Sequence, residues 1–156
     1  MVDGSQTTAP GVLSVGSVKF ADKSLLMVDA SAVTGNKAAI TGVKSANVAD
    51  ASKLYLDNAK KGETYKILAG STQGWKAENI ISNNKLLTFE IKAATGNEYD
   101  VITDSKSVKD AYGDQLIAGD VYDAALATGG AAADFVNRAS DDHYNVDDAA
   151  KISALN

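Results

Sequence analysis

Between Gly11 and Gly70 the chain alternates short apolar runs with small polar segments. Within several runs the apolar side chains recur at every second position, as they do at Leu54 and Leu56. A period of two is typical of strands with one buried face. The polar segments are rich in Gly, Asn, Asp and Ser, which favour turns. The predicted strands are Val12–Val15, Val18–Phe20, Leu25–Val28, Ala38–Ile40, Lys53–Leu56 and Tyr65–Leu68.

Two architectures fit this spacing, a β-sandwich and a β-solenoid. No stretch of helical period separates the strands, so alternating β–α–β units are not expected. The absence of Pro after Pro10, and runs of Val, Leu, Ile and Ala without a large aromatic centre, favour a solenoid, whose core stacks like on like. On the pattern alone, both architectures stay open.

The two clearest strands are Leu86–Lys92 and Glu98–Thr103, separated by the five residues Ala93–Asn97. A short loop that contains Gly-Asn between two such runs predicts an antiparallel hairpin. The apolar residues predicted to share one face of this hairpin are Leu87, Phe89, Ile91, Tyr99 and Val101.

From Ser107 onward the period becomes helical, and three short helices are predicted. Gly129-Gly130 predicts the end of the first. Asn145, followed by Asp147 and Asp148, is typical of a helix start, and this third helix is predicted to run to the end of the chain. The apolar positions that carry the first two helices are Ile117, Val121, Ala124 and Thr128, then Ala131, Phe135, Val136 and Ala139.

Composition removes several classes of function. The 156 residues include no Cys and one His, which excludes thiol catalysis, a Cys-ligated zinc site and a His-rich metal site. The net charge is −5, with an excess of about two positive charges before residue 100 and of about seven negative charges after it. An acidic chain with a single Arg is a poor ligand for phosphate backbones, so no nucleic acid partner is expected.

Candidate chemistry is sparse. His143 lies among four Asp in Ser140–Asp148, but their spacing is not that of a calcium loop, and we interpret them as a solvated helix start. No pair of carboxylates stands out for glycoside hydrolysis. Trp75, Tyr55 and Tyr65 are weak candidates for a sugar-stacking surface, although packing in the core is the simpler interpretation. We therefore predict no catalytic site, no metal and no cofactor.

Several segments resemble the passenger domains of autotransporters from Gram-negative bacteria. The strand Lys53–Asp57 is followed by a Gly-x-x-Tyr-x-Ile-Leu element at 62–68, by Trp75 and by Asn84-Lys-Leu-Leu87, which is similar to the junction segment of such passengers. Residues 133–142 resemble the linker that precedes the translocator barrel in this family. The resemblance covers most of residues 11–156.

This resemblance implies a right-handed parallel β-helix fragment, capped by an antiparallel hairpin and followed by short helices. The implied organisation is a flexible segment over 1–10, a β-helix and cap over 11–104, and a helical linker over 105–156. The chain would then be a piece of an exported, surface-displayed protein whose signal peptide and barrel lie elsewhere. Its partners would be the remaining passenger and that barrel.

The implied function is non-catalytic: a structural module that starts passenger folding. The alternative is an adhesin or glycan-binding module that uses exposed aromatic side chains. An unpaired strand edge at the first rung also predicts self-association through residues 11–30.

Overall fold

The computed structural model describes residues 6–9, 13–14, 16–33, 35, 37–92 and 96–156, with only the backbone described for 6–9 and 13–14. The fold is mixed α/β, with small parallel and mixed sheets and four α-helices in the described part. It divides into two compact units. Unit 1 comprises residues 1–82 and 89–104, and unit 2 comprises residues 83–88 and 105–156.

The strands of the described residues precede all the α-helices. They are β1 Gln6–Ala9, β2 Leu13–Ser14, β3 Ser17–Phe20, β4 Leu25–Asp29, β5 Ile40–Thr41, β6 Ser45–Val48, β7 Lys53–Asp57, β8 Thr64–Ala69, β9 Ile80–Ser82, β10 Leu87–Ile91 and β11 Glu98–Ser105. Two 3₁₀ turns, Ala30–Ala32 and Ala77–Asn79, interrupt them.

The chain enters three sheets in rotation. The first sheet has the order β1-β4-β7-β9, the second contains β2, β5 and β8, and the third pairs β3 with β6; all these pairings are parallel. From β1 to β6 each new strand therefore joins the next sheet, and the fourth strand returns to the first. The register partners of β3 with β6, β4 with β7 and β5 with β8 are 28 residues apart.

Side chains of one kind stack on each other through this register. Leu26 and Val28 of β4 lie beside Leu54 and Leu56 of β7, and all four are fully buried. The core of unit 1 continues these columns with Ile40 and other aliphatic side chains. Alternation of buried and partly exposed positions along β4 and β7 is what the period of two predicts.

A hairpin follows the parallel strands. β11 pairs antiparallel with β8 and also neighbours β10, so the second sheet has the order β10-β11-β8-β5-β2. The register of β11 shifts between Tyr99 and Asp100, and Tyr99, Asp100 and Val101 are buried in succession. The residue skipped in the pairing is Ile67 of β8, which marks a β-bulge in that strand. The turn residues 93–95 lie outside the described residues.

Unit 2 is built on four helices, α1 Val108–Tyr112, α2 Gly119–Thr128, α3 Gly130–Ala139 and α4 Asp148–Leu155. Ser107 caps α1 by accepting a hydrogen bond from the backbone of Asp110, and Gly129 ends α2 with a φ of 80°. Its core contains seven buried residues, Leu86, Val108, Tyr112, Leu116, Val136, Ala139 and Leu155.

Two details of the helical prediction are wrong. Ile117 is 95% exposed and precedes α2, and Val121 is 67% exposed, so the predicted apolar face points to solvent. The face of α2 that packs against the core of unit 2 carries Tyr122 and Leu126, and it begins one position after Val121. The cap of α4 is Asp147, whose carboxylate accepts from the Ala150 amide, rather than Asn145.

Three strands were not predicted. β1 falls within the segment 1–10 that the sequence predicts to be flexible, of which residues 1–5 and 10 lie outside the described residues. The predicted strand Val12–Val15 is described only at β2. β6 and β9 carry too few apolar residues for the pattern to show. The right-handed winding, and the roles given to residues 11–104 and 105–156, stay predictions.

Candidate functional site

The capping cluster is the group of side chains around Trp75, namely Phe20, Ser24, Ser52, Trp75 and Tyr99. Trp75 lies in the loop between β8 and β9 and is only 1% exposed. Its ring centroid is 4.8 Å from that of Phe20 and 5.9 Å from that of Tyr99, which meets it edge-on. Such pairs add about 0.5–1.5 kcal/mol each to the value of area burial alone.

Hydrogen bonds fix the orientation of the indole. Its Nε1 donates to the Ser52 hydroxyl over 3.1 Å, and that hydroxyl lies 2.8 Å from the Ser24 hydroxyl. The Tyr99 hydroxyl donates to the Trp75 carbonyl oxygen. Burial raises the pKa of Tyr99, so this hydroxyl keeps its proton and remains a donor. The indole N–H and the three side-chain hydroxyls of the cluster therefore all have partners within the protein.

Two glycines allow the loop to approach this closely. A Cβ built on Gly74 would lie 2.4 Å from the Tyr99 ring. A Cβ built on Gly70, where φ is +111°, would lie 2.1 Å from the Val43 carbonyl oxygen. Gly70 also donates its amide to the Asn97 carbonyl, which ties β8 to the start of β11. A side chain at either position is incompatible with this packing.

The cluster joins parts of the chain that are far apart in sequence. Phe20 ends β3, Ser24 and Ser52 precede β4 and β7, and Tyr99 lies in the hairpin. Its members therefore connect two successive turns of the parallel strands to the element that follows them. Together these contacts join residues as far apart in the sequence as Phe20 and Tyr99.

The three aromatic residues proposed for sugar stacking lie in different settings. Trp75 is buried in the capping cluster. Tyr65 of β8 is 3% exposed, and its hydroxyl accepts the Lys60 amide over 2.9 Å. Tyr55 of β7 is partly buried. Neither Trp75 nor Tyr65 presents a ring face to a ligand, and the structure does not bring the three rings together at its surface.

His143 and its acidic neighbours serve local structure in unit 2. The His143 Nδ1 lies 3.4 Å from an Asp141 carboxylate oxygen, which also accepts the His143 amide and the side-chain amide of Asn83. Asp147 caps α4. No group of three or more His, Asp or Glu in the described part of the chain could hold a metal ion. None of the helices described there is long and apolar enough to cross a membrane.

Sequence reasoning missed the two serines of the cluster. The signal is present in the chain, since Ser24-Leu-Leu-Met-Val-Asp29 and Ser52-Lys-Leu-Tyr-Leu-Asp57 share Ser, Leu and Asp at the same places. When the two segments are aligned with an offset of 28 residues, the repeat is visible and Ser24 falls opposite Ser52. The bulge opposite Tyr99 and Asp100 leaves no comparable signal.

Comparisons with protein-family models, with curated proteins and with solved structures find no match to this chain.

Proposed function

We propose that unit 1 is the terminal portion of a parallel β-helix and that it serves as a template on which neighbouring rungs fold. The observation that carries the proposal is the rotation of the chain through three sheets in parallel pairs, three of which join residues 28 apart, followed by an antiparallel hairpin. A solenoid folds by nearest-neighbour addition, so a stable end unit lowers the cost of ordering the next turn.

Parallel pairing supports the β-helix over the β-sandwich. Sandwiches are built mainly from antiparallel strands, whereas the described pairs among β1 to β9 are parallel. We propose right-handed winding because crossovers between parallel strands strongly prefer that hand.

The two ends of the stack differ in a way that suits a template. β1, β2 and β3 each occupy an edge of their sheet, so their outer backbone groups are available to one more turn of chain. At the other end, β11 and β10 follow β8, and the capping cluster fills the interior. The added strands extend only the second sheet at that end, since β9 and β6 remain edge strands of the other two among the described residues.

The setting of this module is proposed from the resemblance to autotransporter passengers. On that basis the chain is a non-catalytic part of a protein displayed on the bacterial surface, with residues 105–156 as the linker toward a translocator barrel. Its partners would be the rest of the passenger and that barrel. Self-association through residues 11–30 stays a prediction.

Deletion of residues 71–104 tests the template role. This deletion removes Trp75, β9 and the hairpin, and we expect the remaining chain to lose strand-type circular dichroism and any cooperative melting of residues 11–70. A matched deletion of residues 105–156 removes the helices instead, and we expect it to keep both signals. A cooperative, strand-rich melt from the chain that lacks residues 71–104 would contradict the proposal.

A further inference from the structure

Unit 1 carries a polar cleft on the sheet surface formed by β8 and β11. The cleft has a volume of about 220 Å³ and is lined by Thr64, Lys66, Lys92, Glu98 and Asp100, together with Gly35. These residues do not belong to the capping cluster. The cleft is smaller than the roughly 300–1,000 Å³ of sites for drug-sized ligands, which limits its occupant to about one small ring.

Asp100 makes this cleft unusual. The residue is 8% exposed, and its Oδ1 atom is buried with no hydrogen-bond partner among the described residues. By strand alternation Asp100 lies on the face of β11 opposite to Tyr99 and Val101, where the side chains that line the cleft surround it. An unsatisfied buried acceptor lowers the free energy of unfolding by about 1–3 kcal/mol, and by more when it is charged. A ligand that donates a hydrogen bond to it would remove this cost.

The charges around Asp100 nearly cancel. Lys66 Nζ lies 2.8 Å from a Glu98 carboxylate oxygen, and Lys66 is also the register partner of Asp100 on β8. Burial, and then the charge of Glu98, raise the pKa of Asp100, while Lys66 and Lys92 act in the opposite direction. Two ammonium groups and two carboxyl groups leave the cleft close to neutral, so it attracts neither a free cation nor a free anion strongly.

We propose that this cleft binds one neutral, hydroxyl-rich sugar ring. A sugar hydroxyl donates a hydrogen bond to Asp100 Oδ1 and, through its own oxygen, accepts one from the ammonium group of Lys92. Each hydroxyl is both donor and acceptor, which matches a site where an unpaired acceptor lies beside ammonium donors. This site is distinct from the aromatic surface that the sequence suggested.

Nuclear magnetic resonance titration of the full chain tests the proposal. The probes are the methyl glycosides of glucose, galactose and mannose, with calcium chloride and inorganic phosphate as separate arms. We expect at least one glycoside to give saturable amide shifts confined to residues that line the cleft, with a dissociation constant of about 1 mM. Calcium and phosphate are expected to give no saturable shift there.

Substitution of the acid identifies its role. Asp100→Leu removes the acceptor and an unpaired buried charge, so the chain is expected to fold, and its dissociation constant should rise about tenfold or more. Asp100→Asn keeps an oxygen acceptor and should bind with a smaller loss. Glu90→Gln is the matched control, because Glu90 is an exposed acid of the same hairpin that does not line the cleft; its affinity should be unchanged.

Three results would overturn the proposal. They are the absence of saturable shifts with all three glycosides, saturable shifts at the same amides with calcium or phosphate instead, and unchanged glycoside affinity in Asp100→Leu. None of these results bears on the template role, which is measured by the deletion of residues 71–104.

Discussion

Unit 1 and unit 2 bury their apolar side chains by different means. In unit 1 the same contact recurs, as leucine lies on leucine at residues 26 and 54 and serine on serine at residues 24 and 52. In unit 2 each contact occurs once, among side chains from the segment around Leu86 and from the helices. Repetition lets a small set of side-chain types fill a core, whereas the helical unit depends on individual fits.

The polar interiors differ as well. Unit 1 satisfies its buried serines with each other and with Trp75, and these groups are neutral. Unit 2 buries the Lys151 side chain and pairs its ammonium group with Asp142. Unit 2 also leaves Ile117 and Val146 almost fully exposed. The smaller buried apolar core predicts that unit 2 unfolds at lower denaturant concentration.

Removal of the central side chain of unit 1 should have the largest effect. Trp75→Ala deletes a fully buried indole, and we expect a loss of about 3–5 kcal/mol in the free energy of unfolding of unit 1. Urea unfolding followed by amide resonances measures the two units separately, and the resonances of residues 105–156 should change little. Simultaneous loss of both sets would show that the units unfold as one and would remove the contrast.

Trp75→Phe is the matched variant because it keeps a ring in the core. It removes the indole N–H, so Ser52 loses one partner, and the expected cost is about 1–2 kcal/mol. A cost as large as that of Trp75→Ala would mean that the hydrogen bond, rather than the packing, holds the cluster.

Gly70→Ala should have the next largest effect. The new Cβ would strike the Val43 carbonyl in a backbone conformation that L residues avoid, and we expect a loss of about 2–4 kcal/mol. Gly62→Ala is the control: its φ is +82° with nothing within 4 Å of the new atom, so only the backbone cost of about 1–2 kcal/mol applies. If Gly70→Ala and Gly62→Ala lose equal stability, the strain lies in the backbone and not in the contact between Gly70 and Val43.

Asp100 in unit 1 and Asp148 in unit 2 should contribute to stability with opposite pH dependence, and this is the smallest effect. Burial raises the pKa of Asp100 in unit 1, so its favourable contribution exists below the unfolded pKa of 3.8 and is lost as pH rises through the folded pKa. The Lys85 hydrogen bond lowers the pKa of Asp148 in unit 2, so its contribution exists above 3.8 and is lost as pH falls through the folded pKa.

Asp100→Asn and Asp148→Asn measure this difference. We expect Asp100→Asn to reduce the gain in stability of unit 1 on acidification, and Asp148→Asn to reduce the loss in unit 2, each by about 1 kcal/mol or less. Urea midpoints between pH 3 and pH 7 are the readout. Asp29, whose pKa is lowered by the Ser31 hydroxyl, titrates in the opposite sense within unit 1, so the variant must be compared with the wild type at each pH. If both substitutions altered the pH dependence of stability in the same direction, the opposite roles given to Asp100 and Asp148 would be contradicted.

Strands with an apolar face were predictable from the sequence, and the others were not. The alternating leucine and valine residues of β4 and β7 predict these strands. β6 alternates exposed and partly buried residues, but its inward side chains, Ala46 and Val48, are small and only partly buried, so its periodic signal is weak.

The capping cluster was predictable only in part. The sequence predicts Trp75 as a core residue in the simpler of two interpretations, but its partners depend on loop geometry. The prediction of the buried face of α2 is wrong because helical spacing fits both Ile117 with Val121 and Tyr122 with Leu126. Only tertiary packing decides between these two pairs. The cleft at Asp100 depends on the pairing of β8 with β11, which no composition pattern records.

The 28-residue spacing means that insertions and deletions within β4 and β7 are compatible with the fold only as whole repeats. Duplication of a 28-residue segment between matched positions of β4 and β7 keeps the side chains of these strands on their faces, so Ser24 would still meet the start of a β7-like strand. Insertion of one residue within β4 or β7 instead turns the following side chains to the opposite face. Such a chain can therefore lengthen by copying itself, while its shorter length variants are restricted to the turns between strands.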